Sequence, residues 1–167
     1  RVPVHASPFR YCFRLPQGYL GSHGLERTLP RYDRFFHLLA KPLPPEWALG
    51  AVFYQIFPDR FRQGRPELAP KEGAWLYGGR PIRKKAWHEP PGEDGAREFY
   101  GGDLFGVLEA LPYLEALGVE ALYLTPIFQS PSSHRYDTED YHRVDPHLGG
   151  EEALRALYEA LEARGMK

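Results

Sequence analysis

The spacing of apolar residues changes character three times along the chain. Residues 10–15 (RYCFRL) alternate charged with aromatic or apolar side chains at a period near two, which predicts a strand, and Pro16-Gln17-Gly18 supplies a turn after it. A second strand is expected over residues 34–39, followed by the stiff connector Lys41-Pro42-Leu43-Pro44-Pro45. Two or three strands cannot bury a stable sheet face alone. Residues 1–45 therefore read as the closing strands of a larger β-domain.

From Trp47 the pattern becomes one of apolar runs and helical stripes. Residues 48–57 (ALGAVFYQIF) are almost continuously apolar, as in a strand buried on both faces of a parallel sheet. Residues 58–100 are rich in Gly, Pro and charge and show no period; so long a connection is usually functional. Asp103 then opens a helix as N-cap, with Leu104, Val107, Leu108, Leu111, Leu114 and Leu117 at helical spacing. Pro112 is expected to kink or divide that helix, and Gly118 to end it. Residues 119–127 (VEALYLTPI) predict a second buried strand, and residues 128–150 a polar loop. A second helix is expected over residues 151–164. Its core stripe is Leu154, Leu157, Tyr158 and Leu161, with Glu151–Arg155 and Arg155–Glu159 pairs outside. Gly165 caps it, and Met166-Lys167 reads as the first step of a third strand. Strand, helix, strand, helix and strand start give an α/β class, the N-terminal part of a (β/α)8 TIM barrel over residues 46–167. Two such units leave sheet faces uncovered, so the segment alone is expected to lack a cooperative melt.

Composition narrows the function. The 167 residues carry a net charge of -1, which gives no reason to expect nucleic acid or an anionic membrane as partner. No run approaches the ~20 apolar residues of a membrane span. Cys12 is the only cysteine, so no disulfide framework is expected. No basic-then-apolar leader is visible, and a start at Arg1 rather than Met suggests that the true N-terminus lies elsewhere. Asparagine is absent and arginine outnumbers lysine, a bias that fits a thermophile, although a GC-rich genome would produce it too.

In a (β/α) barrel the chemistry sits in the loops after the strands. The segment 128–150 (FQSPSSHRYDTEDYHRVDPHLGG) follows such a strand and is dense in hydroxyls, carboxylates, imidazoles and phenols. Sugars need that mixture, because their C–H faces pack on aromatic rings and their hydroxyls need convergent polar partners. His134, Tyr136 and Asp137 offer a donor, a platform and an acceptor within four residues. Three other readings compete. The loop is simply solvated, with Asp and Tyr making local turns. Alternatively, His134, His142 and His147 with Asp137, Asp140 and Asp145 hold a metal, although no helical His pair or zinc-type motif appears. Or the three aspartates include a general acid and base. Asp103 suits a cation less economically than its N-cap role. Asp59 and Arg60 face the catalytic side or form a structural ion pair. Gly101-Gly102 lacks phosphate-loop spacing.

The string Phe53-Tyr54-Gln55-Ile56-Phe57-Pro58-Asp59-Arg60-Phe61, then Gly101-Gly102-Asp103-Leu104, then Thr125-Pro126-Ile127-Phe128 with Ser130-Pro131-Ser132, resembles glycoside hydrolase family 13, the α-amylase family. His134-Arg135-Tyr136-Asp137-Thr138-Glu139-Asp140-Tyr141, with Val144-Asp145-Pro146 and Leu148-Gly149-Gly150, is similar to its neopullulanase, cyclomaltodextrinase and maltogenic amylase branch. Residues 1–45 resemble the end of the β-sandwich, starch-binding-module-like domain that precedes the barrel in this branch. The resemblance implies retaining hydrolysis of α-glucans through a covalent glycosyl intermediate. It places the catalytic carboxylates beyond Lys167. His134 and Tyr136 match positions at the −1 subsite, by hydrogen bonding and stacking, and Asp137 belongs to the same motif; Asp140 is expected to be architectural. Many members bind calcium between a loop after the first strand and the Gly-Gly-Asp segment. Gly101 and Asp103 match one half of that site, but Gln63-Gly64-Arg65-Pro66 lacks the carboxylates and amides of the other. Ca²⁺ takes six or more oxygen ligands, so no cofactor is expected. The implied substrates are α-glucan oligosaccharides or cyclodextrins, for a cytoplasmic enzyme whose candidate assembly is a homodimer. The alternative is a non-catalytic carbohydrate-binding or scaffold protein on an amylase-like barrel.

Overall fold

At Cys12 the backbone changes partner, so the strand expected over residues 10–15 is two strands. The structure, a computed structural model, describes residues 9–38 and 44–167, and the chain divides into two compact units, Arg1–Gly50 and Ala51–Lys167. The first unit contains β1 (Phe9–Tyr11), β2 (Phe13–Leu15), β3 (Gly18–Gly21), β4 (Gly24–Glu26) and β5 (Phe36–Leu38). β1 pairs antiparallel with β5, whereas β2 turns back through Pro16-Gln17 to form a meander with β3 and β4. Tyr11, Phe13 and Phe36 meet at the change of partner, with ring centroids 5.5–5.9 Å apart. Gly21 and Pro30 are the residues buried in this unit among those described. Part of the expected connector, residues 41–43, and Leu39 lie outside the described residues.

The second unit begins with β6 (Phe53–Ile56), shorter than the 48–57 run because Glu46–Ala48 form a 3-10 turn. The connection after it is not featureless. It holds β7 (Leu76–Tyr77) and β8 (Arg80–Pro81), joined at Gly78-Gly79, and β9 (Arg83–Lys84), which pairs parallel with β10 (Glu98–Phe99). Helix α1 (Leu104–Ala116) runs through Pro112 as one helix, not two. β11 (Ala121–Leu124) pairs parallel with β6 in the register Phe53↔Ala121 to Ile56↔Leu124. The loop expected at 128–150 contains an antiparallel ribbon, β12 (Phe128–Gln129) with the bulged β13 (Asp140–Val144). Helix α2 (Gly150–Ala163) completes the elements. Beyond it, Lys167 N–H donates to Glu120 O (2.9 Å) and Leu122 N–H donates to Lys167 O (2.7 Å), a parallel pairing step along β11.

Ile56, Leu104, Val107, Leu111, Leu114, Leu148 and Leu157 are fully or almost fully buried and form one core between the strands and the helices. Three expectations need correction. Leu117 is exposed because it is the C-cap of α1 rather than part of its stripe. Tyr158 is 62% exposed, and the buried stripe of α2 is instead Ala153 and Leu157, with Leu154 and Leu161 half-buried. Glu151 accepts from Val144 N–H (3.0 Å), tying α2 to β13, and among the described residues makes no ion pair with Arg155. On β6 Phe53 is 51% exposed and Ile56 fully covered, the open sheet face expected of two strand–helix units.

Both helices end in the same way. Gly118 (φ +85°) and Gly165 (φ +70°) take the left-handed conformation. Gly118 N–H reaches Glu115 O and Val119 N–H reaches Leu114 O; Gly165 N–H reaches Glu162 O and Met166 N–H reaches Leu161 O. These are two Schellman turns, each satisfying carbonyls that the helix leaves open and aiming the chain straight into the next strand.

Candidate functional site

Two connections leave the C-terminal ends of β6 and β11, and polar side chains decide their shapes. In the first, Asp59 is buried and accepts from Tyr100 N–H (2.9 Å) and Gly101 N–H (3.1 Å). Burial pushes its carboxyl above the ordinary value, against the pull of these amides and of the Arg135 and Arg60 charges. Arg60 donates to Gly95 O (2.9 Å), so Asp59 and Arg60 serve the backbone of the loop instead of pairing with each other. Asp103 works in the opposite direction. Its Oδ1 caps α1 at Gly106 N–H (2.7 Å), and its Oδ2 accepts from Gly64 N–H (3.0 Å) and Arg65 N–H (2.8 Å). Gly106 permits the approach: a Cβ there would lie 2.1 Å from Arg62 O. Gln63 Nε2 donates to Gly101 O (3.1 Å), and Lys84 Nζ to Tyr100 O (2.6 Å).

The second connection is built around a residue that the sequence pattern did not single out. Arg135 is 1% exposed and has φ +60°, a left-handed backbone that is uncommon for a non-glycine residue. Its Nε donates to Asp145 Oδ2 (2.6 Å) and its Nη1 to Ser133 O (2.7 Å). Asp145 is equally buried, and its Oδ1 accepts from His147 N–H (2.8 Å) to start the turn Pro146–Leu148. The neighbours of Arg135 in sequence remain outside. Tyr136 is 62% exposed, and His134 is about one-third exposed. Their rings lie 5.9 Å apart at 39°.

Asp137 faces inward. It accepts from Ser130 Oγ (2.7 Å), from Ser132 Oγ and from the Tyr77 phenol of the first connection. Burial pushes its carboxyl up, but these hydroxyls outweigh that and hold it below the ordinary carboxylate value. The same bond pushes the Tyr77 phenol up. Tyr136 N–H donates to His134 Nδ1 (3.1 Å), which makes that nitrogen an acceptor and leaves Nε2–H as the ring's outward donor. Ser132 Oγ lies 3.2 Å from the same Nδ1 and joins it to the Asp137 cluster. Further bonds sew the two connections together: Ser133 N–H to Ala96 O (2.9 Å), Trp75 Nε1 to Pro131 O (2.8 Å) and His147 Nδ1 to Leu68 O (2.7 Å).

The competing readings of these residues separate here. His147 donates Nδ1–H to a carbonyl and stacks on Trp75, and among the described residues no three His, Cys, Asp or Glu side chains converge as metal ligands. Asp145 is held in an ion pair and Asp140 accepts from His142 N–H (2.8 Å), so both are engaged with their own chain.

The model of the α-amylase catalytic domain matches residues 55–167. The chain belongs to the α-amylase family. It is 41% identical over 158 residues to an intracellular maltogenic amylase of Bacillus subtilis, covering 89% of this chain and 25% of that protein. It is 42% identical over 168 residues to neopullulanase 2 of Thermoactinomyces vulgaris, covering 95% and 26%. Among solved structures, the ligand-free cyclic α-maltosyl-(1→6)-maltose hydrolase of Arthrobacter globiformis superposes with a TM-score of 0.63 at 41% identity, over 74% of this chain and 25% of that one. The chain thus spans about a quarter of the length of these relatives. In this family the second unit is part of a TIM barrel, and both connections follow C-terminal strand ends, the side on which barrel active sites lie.

Proposed function

We propose that the whole protein is a retaining α-glucan hydrolase that cleaves α-1,4 links, with α-1,6 links and cyclodextrins in its substrate range. Membership of the α-amylase family supports this, and one local observation carries it: a buried Arg135–Asp145 pair holds His134 and Tyr136 out on the strand-end side of the barrel. In this reading Tyr136 stacks on a sugar ring, His134 donates Nε2–H to a sugar hydroxyl, and Asp137 holds both in place. The catalytic carboxylates belong to barrel strands after Lys167, whose backbone pairing with β11 begins the third strand. Residues 1–45 form the end of a β-sandwich module, and the enzyme works in the cytoplasm without a cofactor. The relative described as an intracellular maltogenic amylase favours that location, and no helix of the described residues is long and apolar enough to cross a membrane.

The test is a product assay of the full-length protein on maltotriose, cyclodextrin and pullulan, with the anomeric form of the first product followed by NMR. Release of α-anomeric products is expected. Binding of these glucans without turnover would replace the enzyme reading with a carbohydrate-binding scaffold.

A further inference from the structure

We propose that the connection after β6 is locked by a cation of the protein's own, the Lys84 ammonium, beside the Gly101–Asp103 segment, and that this segment does not fit calcium. Four observations converge. First, the oxygens that would meet Ca²⁺ are already taken. Asp103 gives both carboxylate oxygens to backbone amides, at Gly106, Gly64 and Arg65, and Gly101 O accepts from the Gln63 amide. A calcium ion needs six or more oxygens, and Gln63, Gly64 and Arg65 turn N–H donors toward this spot. Second, the donors press against Gly101 itself: a Cβ built there would lie 2.4 Å from Lys84 Nζ and 3.1 Å from Gln63 Nε2.

Third, Lys84 Nζ donates to Tyr100 O at 2.6 Å. Tyr100 and Gly101 present their N–H groups to buried Asp59, so one peptide corner is held between an anion below and a cation above. Loss of water pushes the Lys84 amine below its ordinary value, while the charge of Asp59 pulls the other way. Fourth, the delivery is built in. Lys84 is the end of β9, paired in register with Phe99 of β10, and its backbone N–H donates to Glu72 Oε2 as a second tie. An ammonium carries three donors, and one of them is spent on Tyr100 O.

The experiment uses the full-length protein and reads melting and metal content, so its outcome is independent of the glucan assay. After desalting from EDTA, wild type is expected to contain no stoichiometric calcium and to melt at the same temperature in EDTA and in CaCl₂. Lys84→Met is expected to lower the midpoint measurably, and Lys84→Arg, which keeps a cation, to recover part of that shift. A fall of the wild-type midpoint in EDTA, or one tightly held calcium per chain, would overturn the proposal. So would a Lys84→Met protein that melts with wild type. If Lys84→Met does not fold, the chelator and metal measurements on wild type still decide.

Discussion

The two connections that leave β6 and β11 start from the same place in the fold and use their polar residues in opposite ways. In the first, Asp59, Asp103, Gln63 and Lys84 all turn onto backbone groups of the connection itself, which becomes a rigid wall. In the second, a single buried ion pair and a hydroxyl-bound carboxylate do the holding, and His134 and Tyr136 are left to face solvent. The comparison separates a connection whose named polar side chains hold its own backbone from one that leaves His134 and Tyr136 at the surface.

The largest expected effect comes from removing the anchor of the second connection. Arg135→Ala leaves Asp145 buried without its cation, and loss of one partner of such a pair costs about 3–5 kcal/mol. Denaturant melts of the full-length protein should show that loss together with reduced turnover; a melt like wild type would mean that Asp145 finds another partner. Next, Asp103→Ala removes a helix cap and leaves two further amides without acceptors. A cost of about 2–3 kcal/mol is expected, with KM on maltotriose unchanged because the residue serves the wall alone. Tyr136→Ala should separate the two regions from the other side. kcat/KM should fall by about tenfold or more, equivalent to ~1.4 kcal/mol, while stability stays within ~0.5 kcal/mol because the ring is mostly exposed. Kinetics equal to wild type would remove Tyr136 from the site.

The smallest effect is a difference in acid response. The folded-state value of Asp137 lies below its ordinary value of 3.8, so the stability it contributes is present above that value and is lost as pH falls through the depressed one. Asp59 has the opposite sign: its raised value means that protonation in acid relieves a buried charge. The penalty of Asp137→Asn should therefore shrink as the pH falls below 3.8, whereas that of Asp59→Asn should grow above 3.8, as the pH falls from its raised folded-state value toward 3.8. Parallel pH profiles for the two variants would contradict the assignment.

Much of this was readable from spacing because the deciding interactions are local. The N-cap at Asp103 and the terminal glycines of both helices depend on neighbours within six residues, and the structure places them as the periodicity predicts. What escaped the pattern depends on distant partners. The break at Cys12 arises because β1 and β2 pair with different strands, which no alternation encodes. Arg135 looks like any loop arginine until Asp145, ten residues on, is folded back onto it. Asp137 belongs to the sugar motif, but its carboxylate faces Ser130, Ser132 and Tyr77, and Tyr77 lies in the other connection. Tyr158 fits an apolar stripe on paper, but the face of α2 that is buried carries Ala153 and Leu157.

The twin glycine turns after α1 and α2 have an evolutionary consequence. Each fixes the start of the following strand to within a single peptide, so a residue inserted there would shift Val119 or Met166 out of the core and every later residue to the opposite face. The strand-to-helix side has no such limit on register, since β7 and β8 pair only with each other among the described residues. Innovation in this chain is thereby confined to one end of the barrel. Loops can lengthen there while the opposite rim keeps its length.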